Sequence, residues 1–289
     1  MENYAIITDS ACDLPEEYIS EHNLDVVPLM CSLDGEIYGR DKQIEIREFY
    51  SRMRSGSMPT TMAINPEEAA VAMKKHLDKG EDVLYISFSS GLSASCQNAV
   101  MAANDLRNEY PSARIIVVDS LCASMGQGLL VHKALKLRQD GSTIEETAKW
   151  LEENKLHLCH QFTVDDLGHL QRGGRVSKAT AVLGTLINVK PVLHVDDNGG
   201  LVSLKNVRGR KKSIQALVDN MAEVMPGYED QNDDIFISHG DCIEDAQYMA
   251  GLIEERFGPK NFTYSYVGAV IGAHSGPGTL ALFHMGSSR

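Results

Sequence analysis

Val83-Leu-Tyr-Ile-Ser-Phe-Ser-Ser-Gly-Leu-Ser93 decides the fold class of this chain. Val83–Phe88 is an unbroken, mainly apolar run, too short for a buried helix, and a serine- and glycine-rich turn follows it into a helical segment from about Ser93 to Tyr110. A strand without polar alternation has to be covered on both faces, as strands of parallel sheets are. The same order of strand, turn and helix recurs around it. Tyr4–Thr8, Leu24–Met30 and Arg114–Asp119 read as further strands. Asp13-Leu-Pro15 is expected to cap one helix, and Asn65-Pro66-Glu67-Glu68 opens another that stops at Gly80. Met125–Asp140 ends at Gly141, and Ser142-Thr-Ile-Glu145 has the spacing of a capping box for the helix after it. Strands alternating with helices imply a parallel sheet with helices on both faces.

From about residue 160 the pattern changes. Leu193–Asp196, the turn Asp197-Asn-Gly-Gly200 and Leu201–Val207 read as a β-hairpin. A long helix follows from about Lys211 to Met225, then strand Asp234–Ser238, helix Ile243–Phe257, and strand-like segments near Phe262–Val267 and Thr279–Phe283. The expected architecture is α/β: an N-terminal parallel-sheet α/β/α domain (1–160) carrying ligand-binding loops, and a C-terminal α+β domain (161–289) with a mixed or antiparallel sheet. The crevice where the strand C-termini of the first meet the second is the expected ligand position.

Composition narrows the function. The 289 residues are 43% hydrophobic and 23% charged, ordinary for a globular protein. The longest apolar stretch, Ala179 to Val195, is interrupted by Asn188, Lys190 and Pro191, so no bilayer span is expected. The N-terminus carries no basic region or cleavage pattern, which makes a cytoplasmic location the expectation. A net charge of −13 argues against nucleic acid or an anionic membrane as the main partner. The local basic cluster Lys205, Arg208, Arg210, Lys211 and Lys212 reads either as a solvated helix start or as a docking patch for an acidic partner. Six widely separated cysteines without a Cys-x-x-Cys read as reduced thiols, and His157-Leu-Cys-His160 is too small a cluster for a zinc site.

Small hydroxyl residues gather in the loops after the strands: Thr8-Asp-Ser10, Pro59-Thr-Thr61, Ser87–Ser93, Asp119-Ser120 with Ser124-Met-Gly-Gln-Gly128, and His274-Ser-Gly-Pro-Gly-Thr279. Hydroxyls converging with helix N-termini make a neutral donor cradle for an anion. About half of them, Ser10 and Ser120 included, are expected simply to cap helices. Gly91-Leu-Ser93-Ala-Ser95 approaches a nucleophile elbow, but Ser95 stands where the closing glycine belongs, so a serine hydrolase using Ser93 and His274 is the second reading. A phosphotransferase subunit is the third, and the chain has no P-loop. Asp165 and Asp166 read as helix cap and dipole partner, or as partners of Arg172 and Arg175 in locking the domain junction. His274, flanked closely by glycines, is the histidine best placed to approach a ligand.

The run Phe162-Thr-Val-Asp-Asp-Leu-Gly-His-Leu-Gln-Arg-Gly-Gly-Arg-Val-Ser177, with Gly184-Thr-Leu-Ile-Asn-Val-Lys-Pro191 after it, closely resembles the signature of the DegV family. Thr8-Asp-Ser10 with Asp13-Leu-Pro15, Pro59-Thr-Thr61, Leu92-Ser93, Ser124-Met-Gly-Gln-Gly128, Lys205-x-x-Arg208-Gly209-x-Lys211-Lys212 and His274-Ser-Gly-Pro-Gly278 continue the resemblance nearly end to end. It implies a protein without catalytic activity or cofactor that binds one long-chain fatty acid, such as palmitate, between two domains. The acid would be presented to the catalytic subunit of a fatty acid kinase, which makes the acyl phosphate. By position, Thr61 and Ser93 would hold the carboxylate, with Thr60 and His274 in support. Arg172, Arg175, Arg208 and Lys211 would orient the domains or dock the kinase. The chain departs from the family at Met62-Ala-Ile-Asn-Pro66 and at Ala94-Ser95-Cys96, both beside the expected head-group site.

Overall fold

The computed structural model describes residues 4–177 and 188–289. The Gly184–Ile187 part of the signature lies outside the described residues, as do Met1–Asn3. Four parallel strands, β1 (Tyr4–Asp9), β2 (Asp25–Val27), β6 (Asp82–Ser87) and β7 (Ile115–Asp119), pair in the order β2-β1-β6-β7. The segment that decides the fold shows why. Leu84 and Ile86 pack toward Leu129 and Leu130 of helix Met125–Gln139 on one face. Val83 and Tyr85 pack toward Met73 of helix Pro66–Leu77 and Ala99 and Ala103 of helix Ser95–Glu109 on the other. All four are fully buried, which a two-residue side-chain period achieves only between two layers of helices.

The second sheet has six strands in the order β10-β9-β8-β13-β11-β12, built from β8 (Leu158–Thr163), β9 (Val189–Val195), β10 (Leu201–Arg208), β11 (Asp234–His239), β12 (Asn261–Tyr266) and β13 (Leu280–Met285). All its pairings are antiparallel except β11 with β12, so the sheet is mixed. Ile235, Ile237, Leu280 and Leu282 face helices Arg210–Val224 and Ile243–Phe257. Phe162, Phe236, Ala281 and Phe283 face the first sheet's helix Met125–Gln139. A single apolar cluster therefore runs through both lobes. The division expected at residue 160 cuts β8, all six residues of which pair in the second sheet.

Several local expectations need correction. Leu24–Met30 is not one strand: it breaks at Pro28, and Met30 opens β3 (Met30–Leu33) of a separate three-stranded antiparallel sheet, with β4 (Glu36–Tyr38) and β5 (Thr60–Met62). Proline has no N–H for a ladder, so the chain changes sheets there. Pro59-Thr-Thr61 is accordingly the start of a strand rather than a loop. Asp13 does not cap helix Glu16–Glu21, whose first turn has no side-chain cap; it is buried at φ 51° and turned inward. The capping box belongs to Thr143 and Glu146, one residue later than expected. Gly141 at φ 92° closes the preceding helix and the Ser142 N–H bonds Leu137 O at 3.0 Å, so Ser142 still belongs to the outgoing turn. The Asn65–Glu68 capping box with Pro66 in the first turn stands as expected.

Candidate functional site

A cavity of about 310 Å³ lies between the C-terminal edge of the parallel sheet and the inner face of the six-stranded sheet. Leu29, Phe88, Leu92 and Ala123 contribute one wall, and Phe162, Leu201, Val270 and Phe283 the other. Its size is at the lower end of the range typical of small-molecule sites, and its lining is predominantly apolar. A wider surface groove of about 720 Å³, beside Pro15, Tyr38 and Tyr266, meets it at Leu29 and Val270 but is nearly as polar as it is apolar. The cavity is the better candidate for a ligand with a long apolar body.

Its polar end is assembled from three places. Thr61, on β5, shares a hydrogen bond of 2.8 Å with His274 Nε2, on helix Ala269–Ser275. Ser93, in the turn before helix Ser95–Glu109, shares one of 2.9 Å with the Ser95 hydroxyl and accepts the Ser95 N–H at 3.2 Å. Burial and the nearby Arg175 guanidinium push the His274 imidazole down to about 4, so it is neutral near pH 7. With His274 donating from Nε2, the Thr61 hydroxyl hydrogen is available to an anion in the cavity. Gly173 makes this placement possible: a Cβ there would stand 2.2 Å from His274 Nδ1.

Arg175 also reaches the cavity wall. It donates to Leu92 O at 3.2 and 3.0 Å and to Gly173 O, tying the signature run to the loop after β6. The cradle is therefore not purely neutral, as the hydroxyl-rich loops suggest; it has a half-buried guanidinium in its wall. Arg172 is exposed and shares a bond of 3.0 Å with His169, so the two arginines do not pair with Asp165 and Asp166 as expected. Asp166 caps Gly168 N, while Asp165 pairs with Lys190 at 2.6 Å. Arg208 and Lys211 are exposed and outside this cavity's lining, Lys211 over the Tyr248 ring. Thr60 is exposed and outside the cavity lining, because strand alternation turns it to the face opposite Thr61.

Other members of the hydroxyl-rich loops are consumed by structure. Thr8 donates to Ile86 O, and Gln127 donates to both Thr8 and Asp9. Asp9 accepts from the Ala11 and Phe88 N–H groups, and burial raises its carboxyl to about 6. Ser10 and Ser120 do not cap helices as expected: the Ser10 hydroxyl accepts the Leu29 N–H, 19 residues on, and the Ser120 hydroxyl accepts the Cys122 N–H within a turn. Ser124, one of the hydroxyls expected to converge, does line the cavity, but sequence reasoning missed its partner there, Ser238, 3.0 Å away. Ser238 carried no local signal, being one serine in an apolar strand. No hydrogen bond joins Ser93 to His274 among the described residues, so the elbow-like motif is not assembled as a nucleophile and base. No group of three or more potential metal ligands occurs among the described residues either.

Comparisons with known proteins bear on the family and the fold. A family profile described as "uncharacterised protein, DegV family" matches residues 3–286. A DegV domain-containing protein of Clostridium perfringens is 39% identical, over 100% of this chain and 99% of its own length. Among solved structures, a stearic acid-binding protein of Eubacterium ventriosum is similar with a TM-score of 0.90 at 26% identity, covering 98% of both chains. DegV of Bacillus subtilis, described as a fatty acid binding protein, has a TM-score of 0.83 at 32% identity, covering 99% of this chain and 100% of its own.

Proposed function

The chain belongs to the DegV family, and from that premise we propose that it holds one long-chain fatty acid in the cavity between its four- and six-stranded sheets, with the carboxylate at Thr61, Ser93 and His274. The observation that carries this reading is the pairing of an apolar cavity with a small polar end: Thr61 and neutral His274 at 2.8 Å, Ser93 in the same lining, and Arg175 in the wall. Burying about fifteen methylenes at about 0.8 kcal/mol each is worth on the order of 12 kcal/mol before ordering costs. An unsatisfied carboxylate would give back several kcal/mol, so donors at one end and hydrocarbon elsewhere are what such a ligand needs. The Eubacterium ventriosum protein is described as binding stearic acid and the Bacillus subtilis protein as binding fatty acid, in line with the same assignment.

The protein acts as a carrier, without turnover of its own, and hands the carboxylate to the catalytic subunit of a fatty acid kinase for conversion to an acyl phosphate. Exposed Arg172, Arg208 and Lys211 are the side chains assigned to that encounter, and Arg175 to the junction. Ser93 engages Ser95 and His274 engages Thr61, which disfavours a Ser93–His274 hydrolase.

Mass spectrometry of an organic extract of the purified protein tests the reading. One fatty acid per chain is expected, and Thr61→Ala combined with Ser93→Ala should abolish its retention while the fold persists. A clean extract after incubation with mixed fatty acids would sink the carrier reading. Ester turnover lost in Ser93→Ala would replace it with the hydrolase.

A further inference from the structure

Ser124 and Ser238 are 114 positions apart in the chain, yet their hydroxyls meet at 3.0 Å in the wall of the cavity. Ser238 stands beside Ala281, and Ala281 beside Phe162, in a row across β11, β13 and β8. All three residues line the cavity, so this row is part of its floor. The polar end already described comes from other elements: β5, the turn before helix Ser95–Glu109, and helix Ala269–Ser275. Behind Ser124 the chain of bonds continues outward. Its hydroxyl donates to Asp13 at 2.5 Å, and Asp13 lines the separate surface groove.

Counting donors and acceptors shows what this wall lacks. A serine hydroxyl has one hydrogen to give and two sites to accept. Ser124 gives its hydrogen to Asp13 and accepts that of Ser238. The Ser238 oxygen then keeps acceptor capacity with no protein partner among the described residues, and it is fully buried. With a proton on Asp13 the whole chain of bonds can reverse, and Ser238 offers its hydrogen to the cavity instead. A ligand of methylenes alone would leave this second bonding site of the Ser238 hydroxyl unused, whereas an oxygen on the chain would engage it. The backbone adds a separate observation. Ser124 sits at φ 52°, ψ −145°, a region essentially reserved for glycine, and such strain persists where the surroundings hold a residue in place, often at ligand clamps.

We propose that Ser124 and Ser238 form a second polar contact on the cavity floor, which recognises an oxygen substituent, hydroxyl or oxo, carried along the acyl chain. The proposal rests on the fatty-acid reading of the cavity and extends it to oxygenated fatty acids as a ligand class.

The test is a competition. The delipidated full chain is incubated with equal amounts of octadecanoate and one positional isomer of hydroxyoctadecanoate at a time, and the retained acids are extracted and weighed by mass. At least one isomer should be retained about five- to tenfold over octadecanoate, the ratio a single hydrogen bond supports. Ser238→Ala should bring that ratio to one or below while octadecanoate is still retained. Ser124→Gly should do the same, and it relieves the backbone strain as it removes the hydroxyl, so loss of preference cannot be laid to misfolding. Octadecanoate favoured over every isomer, or a preference that survives both substitutions, would overturn the proposal. Retention of neither acid by the unsubstituted chain would overturn the fatty-acid reading with it.

Discussion

Thr8, Asp9 and Gln127 differ from Thr61, Ser93 and His274 less in chemistry than in how their hydrogen-bonding capacity is used. The first group is fully buried behind the C-terminal edge of the parallel sheet and ties β1, β6 and helix Met125–Gln139 together. The second is partly open and lines a cavity, with its bonds made between members of the group or to the next turn. In the sequence both belong to the polar segments that join strands and helices, but in the structure Thr8 and Asp9 end β1, Gln127 lies in helix Met125–Gln139, Thr61 is on β5 and His274 on helix Ala269–Ser275. The difference teaches that spare capacity makes a binding element only where it faces a cavity: Gln127 Oε1 also has no partner among the described residues, but Gln127 lines neither the cavity nor the groove.

The largest effect expected from this difference is on stability. Asp9→Ala strips the Ala11 and Phe88 N–H groups of their acceptor in a site without water access, and should cost about 3 kcal/mol in chemical denaturation. Thr61→Ala, at a half-buried position, should cost less than about 1 kcal/mol yet weaken ligand retention. Equal stability losses would erase the distinction between the two groups.

Acid titration should separate them by sign. Burial raises Asp9 to about 6 and Asp13 to about 7, so across the interval from the ordinary carboxylate range up to those values the folded state binds more protons than the unfolded. Their contribution to stability is full at low pH and declines as pH rises through 6 to 7. His274 runs the other way. Its depressed value of about 4 means that the unfolded chain binds more protons between there and the usual histidine range. Its contribution is therefore present at neutral pH and is lost as pH falls toward 4. Denaturation curves from pH 4 to 8 should show a shallower decline with rising pH in Asp13→Asn and a steeper one in His274→Gln. The His274 ring proton resonances, followed by NMR, should stay at their neutral position down to about pH 5; a midpoint in the usual histidine range would remove the argument that this end of the cavity is desolvated.

A smaller effect reads the placement of His274 alone. Gly173→Ala keeps an ordinary helical φ of −70°, so it adds no backbone strain, but its Cβ would collide with Nδ1 and push the imidazole off Thr61. About a tenfold loss of fatty-acid retention with little change in melting temperature is the expected outcome. A loss in stability without a loss in retention would mean that Gly173 serves packing only.

How much of this the sequence revealed depends on the range of the determining contacts. Val83–Phe88 could be read because a continuous apolar run admits few environments, and the hairpin around Asp197–Gly200 because turn chemistry is local. The membership of Thr61, Ser93 and His274 in one cavity followed from a family resemblance, not from any spacing in the chain. Thr60 was grouped with Thr61 because a three-residue strand carries too little period to show that adjacent side chains face opposite ways. The Arg175 contact with Leu92 and the meeting of Ser124 with Ser238 are long-range products of the two sheets packing together, and nothing near either residue announces them.

The same distinction between used and spare hydroxyls holds at its smallest scale in two adjacent residues. Ser142 and Thr143 both precede a helix and both stand three residues before a glutamate, so the sequence pattern alone allows either to cap it. The preceding helix decides between them: its closing turn at Gly141 takes the Ser142 backbone, leaving Thr143 to accept the Glu146 N–H at 3.2 Å while the Glu146 side chain accepts the Thr143 N–H at 2.8 Å. Thr143→Ala should cost about 1 kcal/mol, and Ser142→Ala within about 0.5 kcal/mol of nothing. Thermal denaturation of the two variants side by side checks this. A larger loss at Ser142 would mean that the helix starts one residue earlier, where the sequence pattern first placed it.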